Sequence, residues 1–447
     1  MATGRCRFTN ARRLVAWARP MSMRLAAAAL VVLAVAACST SSAETQTTAT
    51  VRAALAAFPE IPQLDSRYYD RFPTTAKAGW SRSTFFPVGT FLSSVRSRAA
   101  LDHDRALGLN TYYTLTDNSN TALLDGSGFS AVLGAPFGRR VPGLAGSFLG
   151  DELDMRGGPG NAPVGPGGVQ AVQPCLQSGQ KCGYSALAAS KKQAGATPGA
   201  VQWANYGKGV AYWETDQEAA AFVNGFTDVV STDVYWYTDP AVCDEAANSR
   251  GLPRDQCRRA GNYGALIDRE RALDRTDGRE QPILAVVETG APGDGWATIR
   301  PEQMAGAVMS SVIHGARGVV YFDHNFGGSC RAEHGLRDCD PAMQTAVRTV
   351  DRQLQDMAPA LNVPARAMSL GPGIDATVRT ADGAVLLIAM IDPTTGPGSR
   401  TFHLPSTMRG WRISAPYENR SITRTGADSF TDTFAQESSY HVYRIQP

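Results

Sequence analysis

Two glutamates stand at the ends of apolar segments that lie far apart in the chain. Residues 146–155, GSFLGDELDM, carry Glu152 directly after a short apolar run, and residues 282–289, PILAVVET, carry Glu288 in the same position. Two carboxyl groups held across one bond can hydrolyse it, because one donates a proton to the leaving oxygen while the other attacks or activates water. These two acids are therefore the first candidate for a catalytic pair.

The elements that would position these acids are the strands of a (β/α)8 barrel, in which catalytic groups come from the carboxyl ends of parallel strands. Side chains alternate along a strand, so Glu152 shares its face with Phe148 and Gly150, the face that a barrel turns inward. From about residue 80, short apolar runs alternate with helical segments, which is typical of a βα-repeat protein. Eight runs are predicted to be strands: 85–92, 110–115, 129–135, 146–152, 200–206, 227–237, 282–288 and 316–324.

The whole chain then divides into four segments. An amphipathic helix at 343–361 would close the barrel, and the short alternating strands that follow it are typical of an all-β module. The predicted fold is α/β, a (β/α)8 TIM barrel followed by a small C-terminal all-β sandwich. Its segments are a signal peptide at 1–37, a tether and lead-in segment at 38–79, the barrel at 80–361 and the sandwich at 362–447.

The N-terminus has the features of an export signal. Arginines up to Arg24 precede an apolar run at 25–37 that is too short to span a bilayer comfortably. The run ends in Val-Ala-Ala-Cys at 35–38, which resembles the lipobox of bacterial lipoproteins. That resemblance implies lipidation of Cys38 and a protein held at the outer face of the cell membrane. An ordinary cleaved signal that happens to precede a cysteine is the alternative.

Charge and cysteine content limit the partners. Removing the six arginines of residues 1–37 changes the formal charge from +2 to −4, which argues against a nucleic-acid partner.

An exported chain with an even set of cysteines favours disulfides. No pair has the CxxC spacing of a zinc site, and neither a metal nor a cofactor is predicted. The predicted local pairs are Cys175 with Cys182, Cys243 with Cys257, and Cys330 with Cys339.

The chain resembles the clan A glycoside hydrolases over roughly residues 80–445. The resemblance rests on GDE at 150–152, on AVVET at 285–289 and on the strand count between them. It implies that Glu152 is the general acid/base and Glu288 the nucleophile of a retaining mechanism. Two departures favour a divergent family. Asp151 stands where the clan usually has Asn, in the position that contacts the sugar, and the clan's usual Trp at the end of strand eight is absent.

Further residues are predicted to line a sugar subsite. Asp233, Tyr235 and Tyr237 share parity on predicted strand six, where the clan often has a Tyr that bonds the nucleophile, and Tyr235 is the choice here. Trp236 and Trp296 offer flat rings for stacking on a sugar, although core packing is an equal alternative. His324, after Asp323, is a candidate at the end of strand eight.

The resulting hypothesis is a membrane-anchored, extracytoplasmic glycoside hydrolase that acts on a poly- or oligosaccharide. A polysaccharide of the cell envelope is one candidate substrate. The alternative is a catalytically inactive carbohydrate-binding lipoprotein that uses the same cleft. Transglycosylation would use the same residues. Serine hydrolase and nucleotide-binding chemistry are discarded, because the chain has no GxSxG elbow and its GGPG and GPGG runs do not join a strand to a helix.

Overall fold

A computed structural model describes residues 46–134, 137, 140–157, 182–195 and 197–447. Eight parallel strands, each paired with the next in chain order, form a closed barrel in which β1 also pairs with β8. The predicted order of eight strands and the barrel class are confirmed. The strands are β1 Val88–Ser93, β2 Thr111–Leu115, β3 Ser130–Leu133, β4 Leu144–Asp151, β5 Val201–Tyr206, β6 Val229–Thr232, β7 Ile283–Glu288 and β8 Val319–Phe322.

Large aromatic side chains fill the barrel interior. Phe91, Phe148 and Trp203 meet with ring centroids 4.8–6.0 Å apart. Tyr113 packs on the same indole. Phe91, Tyr113 and Trp203 belong to one buried cluster with apolar residues of the remaining strands, and the partly buried Phe148 packs against it. Because this cluster closes the interior, a substrate can meet the barrel only above it, at the carboxyl ends of the strands.

Helices cover the barrel unevenly. Within the described residues, β2 is followed only by a short 3-10 turn at Thr121–Leu124. The long connection after β6 folds into three α-helices. The helices after β1 are α1 Arg98–Leu107, α2 Leu153–Gly157, α3 Cys182–Ala194, α4 Asp216–Phe226, α5 Val242–Arg250, α6 Arg254–Cys257, α7 Gly261–Asp274, α8 Pro301–Ile313, α9 Gly335–Asp338 and α10 Pro341–Leu361.

The C-terminal segment forms an antiparallel all-β module, as predicted. A two-stranded sheet packs on the larger sheet through Phe402, Phe430 and Tyr443, so the two sheets share one apolar core. The strands are β9 Ala365–Arg366, β10 Ile374–Ala381, β11 Ala384–Ile391, β12 Gly398–His403, β13 Arg412–Ala415, β14 Arg420–Ile422, β15 Ser429–Phe434 and β16 Tyr440–Gln446.

The segment before the barrel is built into this module. Residues 46–55 are helical, and Val51 and Leu55 lie in the core of the C-terminal sheets. Residues Glu60–Ile61 pair antiparallel with β9. Within the tether and lead-in segment predicted at 38–79, residues 46–50 therefore form the first half of this helix and are not a tether.

Two of the three predicted cysteine pairs are disulfides in the structure, Cys243–Cys257 and Cys330–Cys339. Cys175 and Cys38, with the rest of the signal segment, lie outside the described residues, and the side chain of Cys182 is not described either. Among the helices of the described ranges, none combines the length and the apolar character needed to cross a bilayer.

Candidate active site

The end of β4 places Asp151 and Glu152 at the mouth of the barrel. A register shift between Phe148 and Gly150 interrupts regular pairing with β5, and Glu152 itself has a left-handed backbone with φ 48°. The strict alternation that predicted its orientation therefore does not hold to the end of the segment. The Glu152 amide donates to the Asn205 carbonyl at 2.8 Å, which ties it to the end of β5.

Two features beside Glu152 fix its position. The buried carboxylate of Asp154 accepts the amides of Gly207 and Val210, so α2 is fastened to the connection after β5. A Cβ on Gly207 would lie 2.1 Å from Met155 Sδ and 3.3 Å from Glu152 Cγ. Only glycine therefore leaves room for these side chains without a shift.

Asp151 is held by a chain of hydrogen bonds through the barrel interior. Trp203 Nε1 donates to Ser231 Oγ at 3.0 Å, and the Ser231 hydroxyl donates to Asn205 Oδ1 at 2.7 Å. Asn205 Nδ2 then donates to Asp151 Oδ1 at 3.0 Å. The sequence predicted that Asp151 contacts the sugar. In the structure, its carboxylate is oriented by the hydrogen bond from the Asn205 amide.

Asp233 lies next to the Asp151 and Glu152 carboxylates. Its burial, followed by the negative charges of Glu152 and Asp151, raises its pKa well above the usual range. A protonated Asp233 would remove one negative charge from this group of three acids. The prediction that it faces the site is consistent with its parity, since Val229 and Ser231 also face the interior.

The expectation that Tyr235 and Tyr237 lie on strand six, with Tyr235 bonded to the nucleophile, is wrong, because β6 ends at Thr232 and the following residues form a turn. Tyr235 donates its hydroxyl to Asp233 Oδ2 at 3.0 Å rather than to Glu288. Tyr237 is buried and donates to Glu437 Oε1 of the C-terminal module at 2.6 Å. The alternation of side chains along a strand does not apply beyond Thr232, so it could not predict the direction of these two rings.

Glu288 ends β7 and is fully buried. Tyr263 donates to its Oε2 at 2.7 Å and Thr238 donates to its Oε1 at 3.2 Å. Burial raises the pKa of Glu288 to about 7, and the hydrogen bonds from Tyr263 and Thr238 partly oppose that rise. The carboxyl group therefore titrates near neutral pH.

The two tryptophans proposed as sugar platforms differ. Trp236 is buried in the main core beside Tyr212, so the prediction that it stacks on a sugar is wrong. Trp296 is partly exposed, and its ring meets Tyr235 edge-on with centroids 6.2 Å apart. Only Trp296 has the exposure that a platform needs.

His324 lies on the same side of the mouth. Its ring is 5.4 Å from Phe322, which is 5.5 Å from Tyr235. Phe326, 48% exposed, lies beside His324. These rings, with Trp296, form one aromatic wall that runs from Tyr235, whose hydroxyl bonds Asp233, to the loop after β8.

Sequence reasoning missed Asn205, Thr238 and Tyr263. Asn205 had a usable signal, because it is two residues after the inward-facing Trp203 on the same strand. Tyr263 had none, since it belongs to α7 in a long connection and reaches Glu288 only through the tertiary fold.

No family model matches the sequence, and no curated protein matches it. Solved structures do share the fold. The family 39 glycoside hydrolase from Bacteroides cellulosilyticus WH2 has a TM-score of 0.50 and 12% identity, over 82% of each chain.

Two further solved structures have lower TM-scores. A family 51 α-L-arabinofuranosidase from Bifidobacterium longum has a TM-score of 0.47 and 11% identity, over 87% of this chain and 96% of that one. A glucosidase from Croceicoccus marinus has a TM-score of 0.45 and 13% identity, over 80% and 95%. At these identities the similarity is one of fold, a barrel that glycoside hydrolases use.

Proposed function

We propose that the chain is a glycoside hydrolase that cleaves poly- or oligosaccharides by a retaining mechanism. The observation that carries the proposal is the placement of Glu152 and Glu288 at the carboxyl ends of β4 and β7, on one face of a barrel whose interior is closed below them. Two carboxyl groups from different strands of a rigid barrel are the minimum machinery for glycoside hydrolysis.

In this proposal Glu152 protonates the leaving oxygen and Glu288 attacks the anomeric carbon. The covalent glycosyl-enzyme is then hydrolysed by water that Glu152 deprotonates. Tyr263 and Thr238 orient the Glu288 carboxylate and favour its ionised form, which is the nucleophilic one. Trp296 offers a ring face for the sugar, and Asp151 offers a carboxylate already held in place by Asn205.

A screen against envelope and plant polysaccharides tests the activity, with Glu288→Ala beside the parent. Glu302→Gln is the matched control, because Glu302 is an exposed acid on α8. Release of sugar by the parent and by Glu302→Gln, but not by Glu288→Ala, is the expected result. Azide should restore turnover to Glu288→Ala by occupying the space of the lost carboxylate, and a product of inverted configuration would assign the nucleophile.

The second candidate is a sugar-binding barrel without activity. The complete burial of Glu288, with both oxygens bonded, favours it, since a nucleophile must reach the anomeric carbon. Glycan binding without cleavage, equal in the parent and in Glu288→Ala, would establish this alternative. Sugar transferred to an acceptor sugar instead of water would identify a transglycosylase.

We also propose export and lipid anchoring through Cys38. The support is the sequence at 25–38 together with two disulfides, which persist in oxidising compartments. We expect Cys38→Ser, expressed in a bacterium that processes lipoproteins, to move the protein from the detergent phase to the aqueous phase in a phase-partition assay. Equal partition of the parent and the variant would contradict anchoring.

A further inference from the structure

Three side chains that the proposed hydrolysis does not use converge after β8. Asp323 and His324 follow the strand directly, and His334 comes from the loop that precedes α9. One ligand-capable atom from each lies within 4.8 Å of the other two. The first two positions are fixed by a strand end, and the third belongs to a loop closed by the disulfide Cys330–Cys339.

The two imidazoles are oriented in the same way. His324 Nε2 is 3.0 Å from the Leu92 carbonyl, which can only accept, so Nε2 carries the proton and Nδ1 keeps a lone pair. His334 Nε2 is 2.7 Å from Ser94 Oγ. Partners outside the cluster, both from the end of β1, therefore occupy one nitrogen of each ring, as is usual for histidines that bind a metal.

Two ligand-capable atoms of the cluster are buried without hydrogen-bond partners among the described residues. His334 Nδ1 has no hydrogen-bond partner among the residues that the structure describes, and His334 is 7% exposed. Asp323 is 3% exposed, and its Oδ1 likewise has no partner within the described ranges. A buried polar atom left unpaired costs about 1–3 kcal/mol, more for a charged group, so two of them side by side need an explanation.

The charges around the cluster are mixed. Arg337 is the nearby cation, and its guanidinium is bonded to both oxygens of Asp104 and to the Ser94 carbonyl. Glu333 and Asp338 add negative charge beside the histidines.

We propose that Asp323, His324 and His334 bind one zinc ion through a carboxylate oxygen and the two Nδ1 atoms. Two imidazoles and one carboxylate form a common protein donor set for Zn²⁺, and three protein ligands leave a position for water or a substrate oxygen. Zinc bonds of about 2.0 Å require donor atoms about 3.3 Å apart, so the side chains must close slightly around the ion. Neither hydrolysis nor sugar binding is needed for this inference.

Metal titration of the purified protein tests the site directly. After treatment with a chelator, zinc is added and followed by calorimetry, with Mg²⁺ as a second probe. We expect one Zn²⁺ per chain, with a rise in Tm, and no comparable effect of Mg²⁺. Co²⁺ should give visible absorption of a tetrahedral site. Ser94→Ala should weaken zinc binding roughly 10–100-fold, and Asp323→Asn and His334→Ala should weaken it further.

His403→Ala is the matched control, because His403 is exposed on β12 of the C-terminal module. It should bind zinc like the parent. Asp323→Asn keeps the shape of the side chain, so it remains informative if His334→Ala does not fold. Absence of stoichiometric binding in the parent, or equal binding by the parent, Asp323→Asn and Ser94→Ala, would overturn the proposal.

Discussion

At the scale of single residues, the Glu288 carboxyl group carries the most specific chemistry of the candidate site. Its pKa of about 7 results from burial that hydrogen bonds from Tyr263 and Thr238 partly oppose. In the proposed mechanism Glu288 must be ionised to act as the nucleophile, so we expect activity to rise with pH through this value. We therefore expect both Glu288 and its hydrogen-bond donor Tyr263 to determine the acid limb of the pH profile.

We expect Tyr263→Phe to move that acid limb to higher pH. A hydrogen bond to a charged group contributes about 1.5–3 kcal/mol, which corresponds to a rise of about one pKa unit or more. The loss of kcat/KM should be larger at pH 6 than at pH 8. Tyr237→Phe is the control, because the Tyr237 hydroxyl bonds Glu437 instead. An unchanged profile shape in Tyr263→Phe would show that Glu288 is not the titrating group.

The two tryptophans give a second residue-scale prediction. Trp296→Ala should raise KM with little change in Tm, since the ring is partly exposed on the aromatic wall. Trp236→Ala should instead lower stability by about 3–5 kcal/mol, because it empties a core position. Thermal melts and steady-state kinetics on both variants separate the roles. A destabilised Trp296→Ala with unchanged KM would remove Trp296 from the subsite.

At the scale of elements, strand order was predictable and strand ends were not. The eight apolar runs were long and regular enough to identify, and parity placed Asp233 on the inward face. Tyr235 and Tyr237 were misplaced, because β6 stops at Thr232 and parity has no meaning in a turn. Tyr263 and His334 lie on connections, whose contacts depend on the assembled barrel and leave no periodic pattern in the sequence.

The disulfide Cys243–Cys257 joins the first two helices of the connection that carries Tyr263 to Glu288. It closes a loop with a sequence separation of 14 residues, for which about 3 kcal/mol of stabilisation is typical. We expect the double change Cys243→Ser and Cys257→Ser to lower Tm and also kcat, because α7 begins four residues after Cys257. Enzyme assays below the new melting temperature would check this. A lowered Tm with an unchanged kcat would show that the disulfide contributes to stability and not to catalysis.

At the scale of the whole molecule, several buried acids hold protons that the unfolded chain would release. Burial raises the pKa of Glu288 to about 7, of Glu270 to about 8 and of Glu214 to about 9. Two carboxylates bonded to His314 raise its pKa to about 10, against the effect of burial. Between pH 6.5 and 8.5 the folded chain therefore binds more protons than the unfolded one, and its stability falls as pH rises.

We expect Tm to fall by at least about 2 °C from pH 6.5 to 8.5 at constant ionic strength. Glu270→Gln should reduce the fall, because the amide cannot ionise and still accepts from Thr232, as Glu270 Oε1 does. Calorimetry at several pH values is the measurement. A Tm that stays level or rises over this interval would contradict the protonated state of these acids.

The helix at 46–55, packed into the C-terminal core, determines how far an anchored protein could reach. If Cys38 carries lipid, only the seven residues 39–45 separate it from that helix, and they extend over at most about 25 Å. The folded part of the chain would then begin within about 25 Å of the bilayer. Such a protein would meet polymers that lie close to the membrane and would leave more distant ones untouched.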